Sequence, residues 1–196
     1  MLKNPSLVQA IGDAVIPVLG FFFFEWGLYF ILLFYFIDLL VTEYFVFLKA
    51  RKITKHNSRE RINKQRLILS VFTALVLIVL CHVSLYFIIP GINFLEEFKA
   101  FLLYEEVGIP IPQGFILLPL VALGNLQQYK QFFVRPQKHL MLTVDYLYKK
   151  RTSALLLGIA GCGLALAGAI FLQLNTTVLL VLLVVSKFFV DIKWRV

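Results

Sequence analysis

Long apolar runs separated by short polar segments dominate the chain. Six runs are long enough to cross a hydrocarbon core as helices, which takes about 20 residues each. They cover residues 7–24, 28–48, 67–89, 109–126, 154–172 and 177–194. The strands of a membrane β-barrel would instead be about 10 residues long and would alternate in polarity. The pattern therefore predicts an all-α, polytopic integral membrane protein with about six transmembrane helices, built as one domain over residues 1–196.

Composition strengthens this prediction. Of the 196 residues, 60% are hydrophobic and 15% are charged, and the mean hydropathy is +0.86. Soluble domains average about 45–50% apolar and about 25% charged residues. The chain is therefore expected to have the lipid bilayer as its main partner.

Charge gives the predicted helices an orientation. The polar segment 49–66 holds eight Lys or Arg residues and the segment 127–153 holds six. The opposite side carries mainly acids, and its charged residues are Glu96, Glu97, Lys99, Glu105 and Glu106. Because basic loops stay in the cytoplasm, we expect a multi-pass protein of the cytoplasmic membrane with both termini inside, in agreement with Lys3, Lys193 and Arg195 near the two ends. The net charge of +8 then indicates contact with the anionic leaflet rather than with nucleic acid.

Two polar segments have the periodicity of short helices lying on the membrane surface. Segment 93–107 places its Phe side chains on one side and begins with Asn93 and Glu96 at the spacing of a capping box. Segment 140–150 repeats the pattern on the inner side, with Leu140, Val144, Leu147 and Tyr148 predicted to face lipid and Lys149, Lys150 and Arg151 to face head groups. Both segments are interpreted as membrane-adhering or docking surfaces.

The fifth run contains two stripes of small residues, which allow helices to approach closely in lipid. The stripes consist of Gly158, Cys162, Ala165 and Ala169, and of Gly161, Ala165 and Gly168. They are typical of packing within one chain or of a homo-oligomer interface, and both interpretations stay open. Cys81 and Cys162 have neither CxxC nor metal-ligand spacing, so no metal and no cofactor is predicted.

Charged residues also lie inside the apolar runs, where each costs at least about 2.5–3.5 kcal/mol at the helix centre. At about 1.5 Å rise per residue, Asp38 lies roughly 16 Å from the inner boundary and Lys187 roughly 15 Å from the outer one. These depths match across a core about 30 Å thick, so we predict an Asp38–Lys187 ion pair. Asp191, four residues after Lys187, competes for the same ammonium. Four carboxylates facing one lysine also predict an excess of negative charge. The predicted intramembrane polar cluster comprises Asp13, Tyr35, Asp38, Thr42, Glu43, His82, Lys187 and Asp191.

The stretch 25–52, EWGLYFILLFYFIDLLVTEYFVFLKARK, resembles the second-helix signature of an uncharacterised bacterial family of polytopic membrane proteins. That signature reads approximately W-x(8)-Y-W-x-E-N and ends in a lysine. Trp26, Tyr35 and Lys49 match it, Asp38 stands at its Glu, and Phe36 and Leu39 replace its Trp and Asn. The last run is similar to the family's closing K-x-x-x-D pattern through Lys187 and Asp191. The resemblance implies a polytopic membrane fold in which these acidic and basic positions recur, and it implies no particular activity.

Two functions follow from the buried charges. The first is a polar clasp inside a packing or assembly subunit of a cytoplasmic-membrane complex, whose partners are hetero-complex subunits or further copies of this chain. The alternative is a small proton- or ion-coupled transporter or channel that uses Asp38 and Lys187. A wet cavity among the helices would favour transport, whereas a dry bundle with a partner-sized apolar face would favour assembly. An enzyme is not expected, because no nucleophile with its base is recognisable. The exception left open is an enzyme that acts on lipid at the interface through His139, Asp145 and Tyr146, although their spacing matches no known mechanism.

Overall fold

The computed structural model describes residues 5–24, 26–103 and 113–194. Within these ranges all of the regular secondary structure is helical, and there is no strand. Several positions used for the orientation prediction lie outside the described residues, as does the start of the predicted run 109–126. They are Lys3, Glu105, Glu106 and Arg195.

Seven α-helices follow one another in the described part of the chain. They are α1 Pro5–Phe23, α2 Leu28–His56, α3 Lys64–Ile88, α4 Phe94–Leu103, α5 Gln113–Gln128, α6 Val144–Leu172 and α7 Thr176–Trp194. A π-helical turn, Tyr129–Val134, continues α5, and a 3₁₀ turn, Lys138–Leu140, precedes α6. Among the described helices, α2, α3 and α6 are long and apolar enough to cross a membrane, and α1 contains a shorter apolar stretch.

Helix α2 lies at the centre of the bundle. It contacts α1, α3, α4, α5 and α6, and every residue from Leu28 to Phe36 is buried. A helix that is apolar on all sides must be surrounded by other helices or by lipid, and here other helices surround its first half. A second apolar cluster lies near the other end of α2, where Val46, Ala50 and Ile53 pack with Phe133 and Trp194.

The short helix α4 covers one end of this centre. Asn93 caps it as the sequence predicted, since Asn93 Oδ1 accepts the N–H groups of Leu95 at 3.2 Å and Glu96 at 3.3 Å. Phe101 is fully buried, with its ring centroid 4.7 Å from that of Phe30. Phe101 and the partly buried Phe94 therefore pack α4 against the first half of α2, whereas Phe98 is 42% exposed.

The expectation of a separate surface helix over 140–150 is wrong. Helix α6 begins at Val144, where the Thr143 hydroxyl accepts the N–H of Tyr146 at 3.2 Å, and runs without a break to Leu172. No Gly or Pro occurs between Val144 and Leu157 to end it. Val144, Leu147 and Tyr148, predicted to face lipid, are buried in the cluster around Val46.

The small residues of α6 bring α6 and α7 together. A Cβ atom added at Gly161 would lie 2.8 Å from Ser186 Oγ, and one added at Gly158 would lie 3.3 Å from Val190. One added at Gly168 would lie 3.3 Å from Leu174 in the connecting turn. Ala165 and Ala169 are buried, and Cys162 is partly buried. The contacts at these glycines lie within one chain, and the homo-oligomer interface stays a prediction.

Candidate functional site

Lys187 of α7 lies between two carboxylates inside the bundle. Its Nζ atom is 2.8 Å from Asp38 Oδ2 and 2.7 Å from each carboxylate oxygen of Asp191. The ion pair predicted from equal depth is therefore present, and so is the contact expected to compete with it. Because one ammonium group has three donors, it serves both acids at once.

Asn125 of α5 extends this group across the bundle. Its Nδ2 atom donates to Asp38 Oδ1 at 2.9 Å, and its Oδ1 atom accepts the Thr42 hydroxyl at 3.0 Å. The same Nδ2 donates to the carbonyl of Val121 at 3.1 Å, which orients the amide. Sequence reasoning missed Asn125, although an amide within a predicted apolar run is a signal that could have found it.

Glu43 and Arg151 form a second buried ion pair. Arg151 Nε lies 2.6 Å from Glu43 Oε1, and only 3% of the Arg151 side chain and 6% of the Glu43 side chain are exposed. Ser70 of α3 donates its hydroxyl to Glu43 Oε2 at 2.7 Å. The expectation that Arg151 faces head groups is wrong, because it shares the buried side of α6 with Tyr148 and finds a carboxylate opposite. Arg151 also offsets part of the negative charge predicted for the interior.

Tyr35 and Asp13 border the Asp38–Lys187 pair. The Tyr35 ring centroid lies 5.6 Å from Lys187 Nζ, and the Tyr35 hydroxyl is buried with no hydrogen-bond partner among the described residues. Asp13 of α1 lines a cavity that Asp38 and Lys187 also line. These residues of the predicted cluster therefore lie together.

His82, by contrast, lies outside this group. Its Nδ1 atom is 2.8 Å from the carbonyl of Ile78, and its Nε2 atom is 2.9 Å from the Tyr29 hydroxyl. Since a carbonyl only accepts, Nδ1 carries the proton and Nε2 accepts from Tyr29. The His82 ring also stacks on the Phe36 ring, with 5.1 Å between the ring centroids. The contacts of His82 are therefore with aromatic and backbone groups near α4.

Two small cavities border the Asp38–Lys187 pair, the first among α2, α3, α6 and α7 and the second among α1, α2, α5 and α7. Each offers about 60 Å³ of room for the centres of water molecules, enough for a few waters where polar groups bind them. The first cavity also borders Arg151 and Asp191, and the second also borders Asp13 and Asn125. Tyr35, Asp38 and Lys187 line both cavities.

Polar atoms without partners face the first cavity. Tyr35 Oη and Arg151 Nη2 are buried without hydrogen-bond partners among the described residues, and both side chains line it. A buried donor left without a partner costs about 1–3 kcal/mol, so water in this cavity is the simplest way to satisfy both groups. The described residues contain no cluster of three or more His, Cys, Asp or Glu suited to a metal ion.

Comparisons of the chain with known protein families, with curated proteins and with solved structures found no match. The chemistry of the site is therefore read from its geometry. Carboxylates, an ammonium group and room for water in two cavities that border one ion pair can exchange protons or hold a small cation.

Proposed function

We propose that the protein is a multi-pass protein of the cytoplasmic membrane that moves protons or a small cation, with the Asp38–Lys187 pair at the centre of the path. One observation carries the proposal: two water-sized cavities, lying among different sets of helices, share Tyr35, Asp38 and Lys187 in their linings. The positions singled out by the family resemblance, Asp38, Lys187 and Asp191, are the ones that form this centre. Membership of that family and the arrangement with both termini inside are parts of the same proposal.

The pairing of Lys187 with both Asp38 and Asp191 supports the exchange of a proton or cation at Asp38. A cation or proton that binds the Asp38 carboxylate displaces the ammonium, and a displaced charge in a membrane interior is costly. Asp191 removes this cost, since both of its oxygens already lie 2.7 Å from Lys187 Nζ. In the proposed cycle Asp38 binds its proton or ion from one cavity while Lys187 rests on Asp191, and releases it into the other cavity when Lys187 returns.

Ion flux into liposomes tests the proposal. Purified protein in proteoliposomes with an internal pH-sensitive dye is expected to carry protons, or Na⁺ or K⁺ measured by ion-selective dyes. Asp38→Asn removes the exchanging carboxylate and is expected to abolish flux while the helix content is kept. The matched control is Asp145→Asn, the same chemical change at an acid that is 60% exposed, and it should keep wild-type flux. A wild-type protein that carries none of the three ions, or an Asp38→Asn variant as active as wild type, would refute the proposal.

The second candidate function is a packing or assembly subunit, and the extent of the network favours it. Its ion pairs and hydrogen bonds join α2, α3, α5, α6 and α7, which suits a rigid scaffold. Phe72, Val79 and Phe87 along α3 are each more than half exposed, an apolar surface that lipid or another subunit would cover. A subunit of this kind would leave the membrane in native nanodiscs as part of a particle with other chains, and a particle holding one copy alone would argue against it.

A double-mutant cycle tests the clasp itself. Lys187→Met leaves two carboxylates without a cation, whereas Asp38→Asn leaves Lys187 paired with Asp191. The double variant leaves one carboxylate, Asp191, without a cation, and each uncompensated buried charge is costly. We therefore expect the detergent-solubilised melting temperature to fall in the order wild type, Asp38→Asn, the double variant, Lys187→Met. Simple addition of the two single losses would mean that the residues do not interact.

A further inference from the structure

A groove lies between α3 and α6 near the beginning of both helices. It offers about 300 Å³ of room, the lower end of the range for sites that hold small molecules. Arg66 and Asp145 form an ion pair in which Arg66 Nη2 lies 2.8 Å from Asp145 Oδ1. This pair holds the first turns of the two helices at the same level. The groove is open to the surroundings of the bundle and is separate from the two cavities around Asp38.

The lining of the groove changes from polar to apolar along the helices. Arg66 and Lys149 line its beginning, and the hydroxyl-bearing Thr152 and Ser153 follow one turn along α6. None of the described residues that line the groove is a carboxylate, and Asp145 adjoins it only through its pair with Arg66. Two cations and two hydroxyls at one end are the donors that bind a phosphate group.

The deeper part of the groove is apolar. Leu69 lies one turn beyond Arg66, and Leu156 lies one turn beyond Ser153. Tyr148, which is 1% exposed, also lines the groove, and its hydroxyl has no hydrogen-bond partner among the described residues. The groove therefore has cationic and hydroxyl donors at one end and aliphatic side chains at the other.

We propose that this groove binds an anionic phospholipid of the cytoplasmic leaflet, with its phosphate between Arg66 and Lys149 and an acyl chain along Leu69 and Leu156. Both helices begin in the strongly basic segments, which the positive-inside rule assigns to the cytoplasmic face. The head group then lies at the level of the lipid phosphates and the acyl chain points toward the membrane centre. The proposal uses the proposed membrane orientation and is independent of ion transport.

Native mass spectrometry of the detergent-purified full chain tests this site. The probes are dioleoyl phosphatidylglycerol and dioleoyl phosphatidylcholine, added in equal amounts. The wild type is expected to retain one phosphatidylglycerol in preference to phosphatidylcholine. Arg66→Gln with Lys149→Gln should weaken that binding roughly 30-fold, since each interfacial cation contributes about fivefold.

Two further variants separate a specific site from general charge and from misfolding. Lys55→Gln with Arg59→Gln also removes one lysine and one arginine, but from exposed positions that do not line the groove. This charge-matched variant should bind lipid like wild type. Lys149→Gln alone keeps the Arg66–Asp145 pair and should weaken binding about fivefold with an unchanged melting temperature.

Three outcomes would overturn the proposal. The first is equal retention of the two lipids by the wild type, and the second is equal loss of binding in the groove variant and the charge-matched variant. The third is displacement of phosphatidylglycerol by soluble glycerol 3-phosphate at the same concentration, which would assign the groove to free phosphate compounds.

Discussion

Arg151 shows how a single residue brings charge into the bundle without disrupting it. Its guanidinium lies against Glu43 at 2.6 Å and over the Trp194 ring at 5.1 Å. A buried ion in an apolar interior is stable only when its partner and hydrogen bonds replace the lost water. Ser70, which donates to the second oxygen of Glu43 at 2.7 Å, supplies one of those bonds. At the residue scale the stability of the site therefore rests on pairs rather than on separate charges.

Substituting Arg151 tests this dependence. Arg151→Met leaves the Glu43 carboxylate buried without a cation and is expected to lower the free energy of unfolding by about 3–5 kcal/mol. Glu43→Gln combined with Arg151→Met should recover most of the loss. The control is Arg66→Met at the surface pair with Asp145, whose side chains are 39% and 60% exposed, where the loss should stay below about 1 kcal/mol. Unfolding in mixed detergent and SDS micelles measures all three, and equal losses at Arg151 and Arg66 would contradict the assignment.

The sequence predicted the Asp38–Lys187 pair and not the Glu43–Arg151 pair, for a physical reason. Asp38 and Lys187 both stand inside apolar runs, so counting residues from the run ends gives their depth. Arg151 stands at the end of a run of three cations beside an apolar run, where a charge is expected in the head groups. Its burial is visible only when the helix is extended backwards, because Val144, Leu147, Tyr148, Ala154 and Gly158 then fall on the same side as Arg151.

At the scale of elements, the α6–α7 contact depends on one glycine more than on its neighbours. A Cβ at Gly161 would meet Ser186 Oγ at 2.8 Å, whereas nothing lies within 4 Å of a Cβ at Gly163. Close approach of this kind provides packing that hydrophobic burial cannot supply between helices in lipid. The composition of the stripe was readable in the sequence, but its partner Ser186 was not, because packing partners depend on how the helices turn toward each other.

A pair of alanine substitutions separates packing from helix propensity. Gly161→Ala is expected to lower the melting temperature, since Ser186 or α7 must move to admit the methyl group. Gly163→Ala adds the same methyl group in open space and should leave stability unchanged or raise it by up to about 1 kcal/mol. Ser186→Gly in the Gly161→Ala background should restore stability. Similar effects at the two glycines, measured by thermal unfolding in detergent, would argue against a close contact.

The ends of the long helices were the least predictable part of the fold. Helix α2 was predicted to end at residue 48 and continues to His56, and α6 begins ten residues before the predicted apolar run. An apolar run ends where charges begin because lipid ends there, whereas a helix ends only where its backbone is broken or capped. Asn57, whose N–H donates to the carbonyl of Ile53 at 2.9 Å, ends α2 well beyond its apolar part.

For the whole molecule, the distribution of charge makes a prediction about sidedness. The α2–α3 connection belongs to the basic segment 49–66, and the α6–α7 turn lies at the other end of α6, which at 29 residues is about 43 Å long. With Cys81 and Cys162 replaced by Ala, we expect a membrane-impermeant maleimide to label Asn175→Cys in intact cells. Ser58→Cys should be labelled only after permeabilisation. The reverse pattern would invert the proposed orientation.

The order of synthesis gives the Glu43–Arg151 pair a further consequence. Glu43 emerges from the ribosome 108 residues ahead of Arg151, a delay of roughly 5–20 s at about 5–20 residues per second. Throughout that interval the growing chain carries an acid whose counter-charge does not yet exist. Nascent fragments that stop before α6 therefore contain the Glu43 carboxylate without its native cation, and we expect them to be less stable than the full chain.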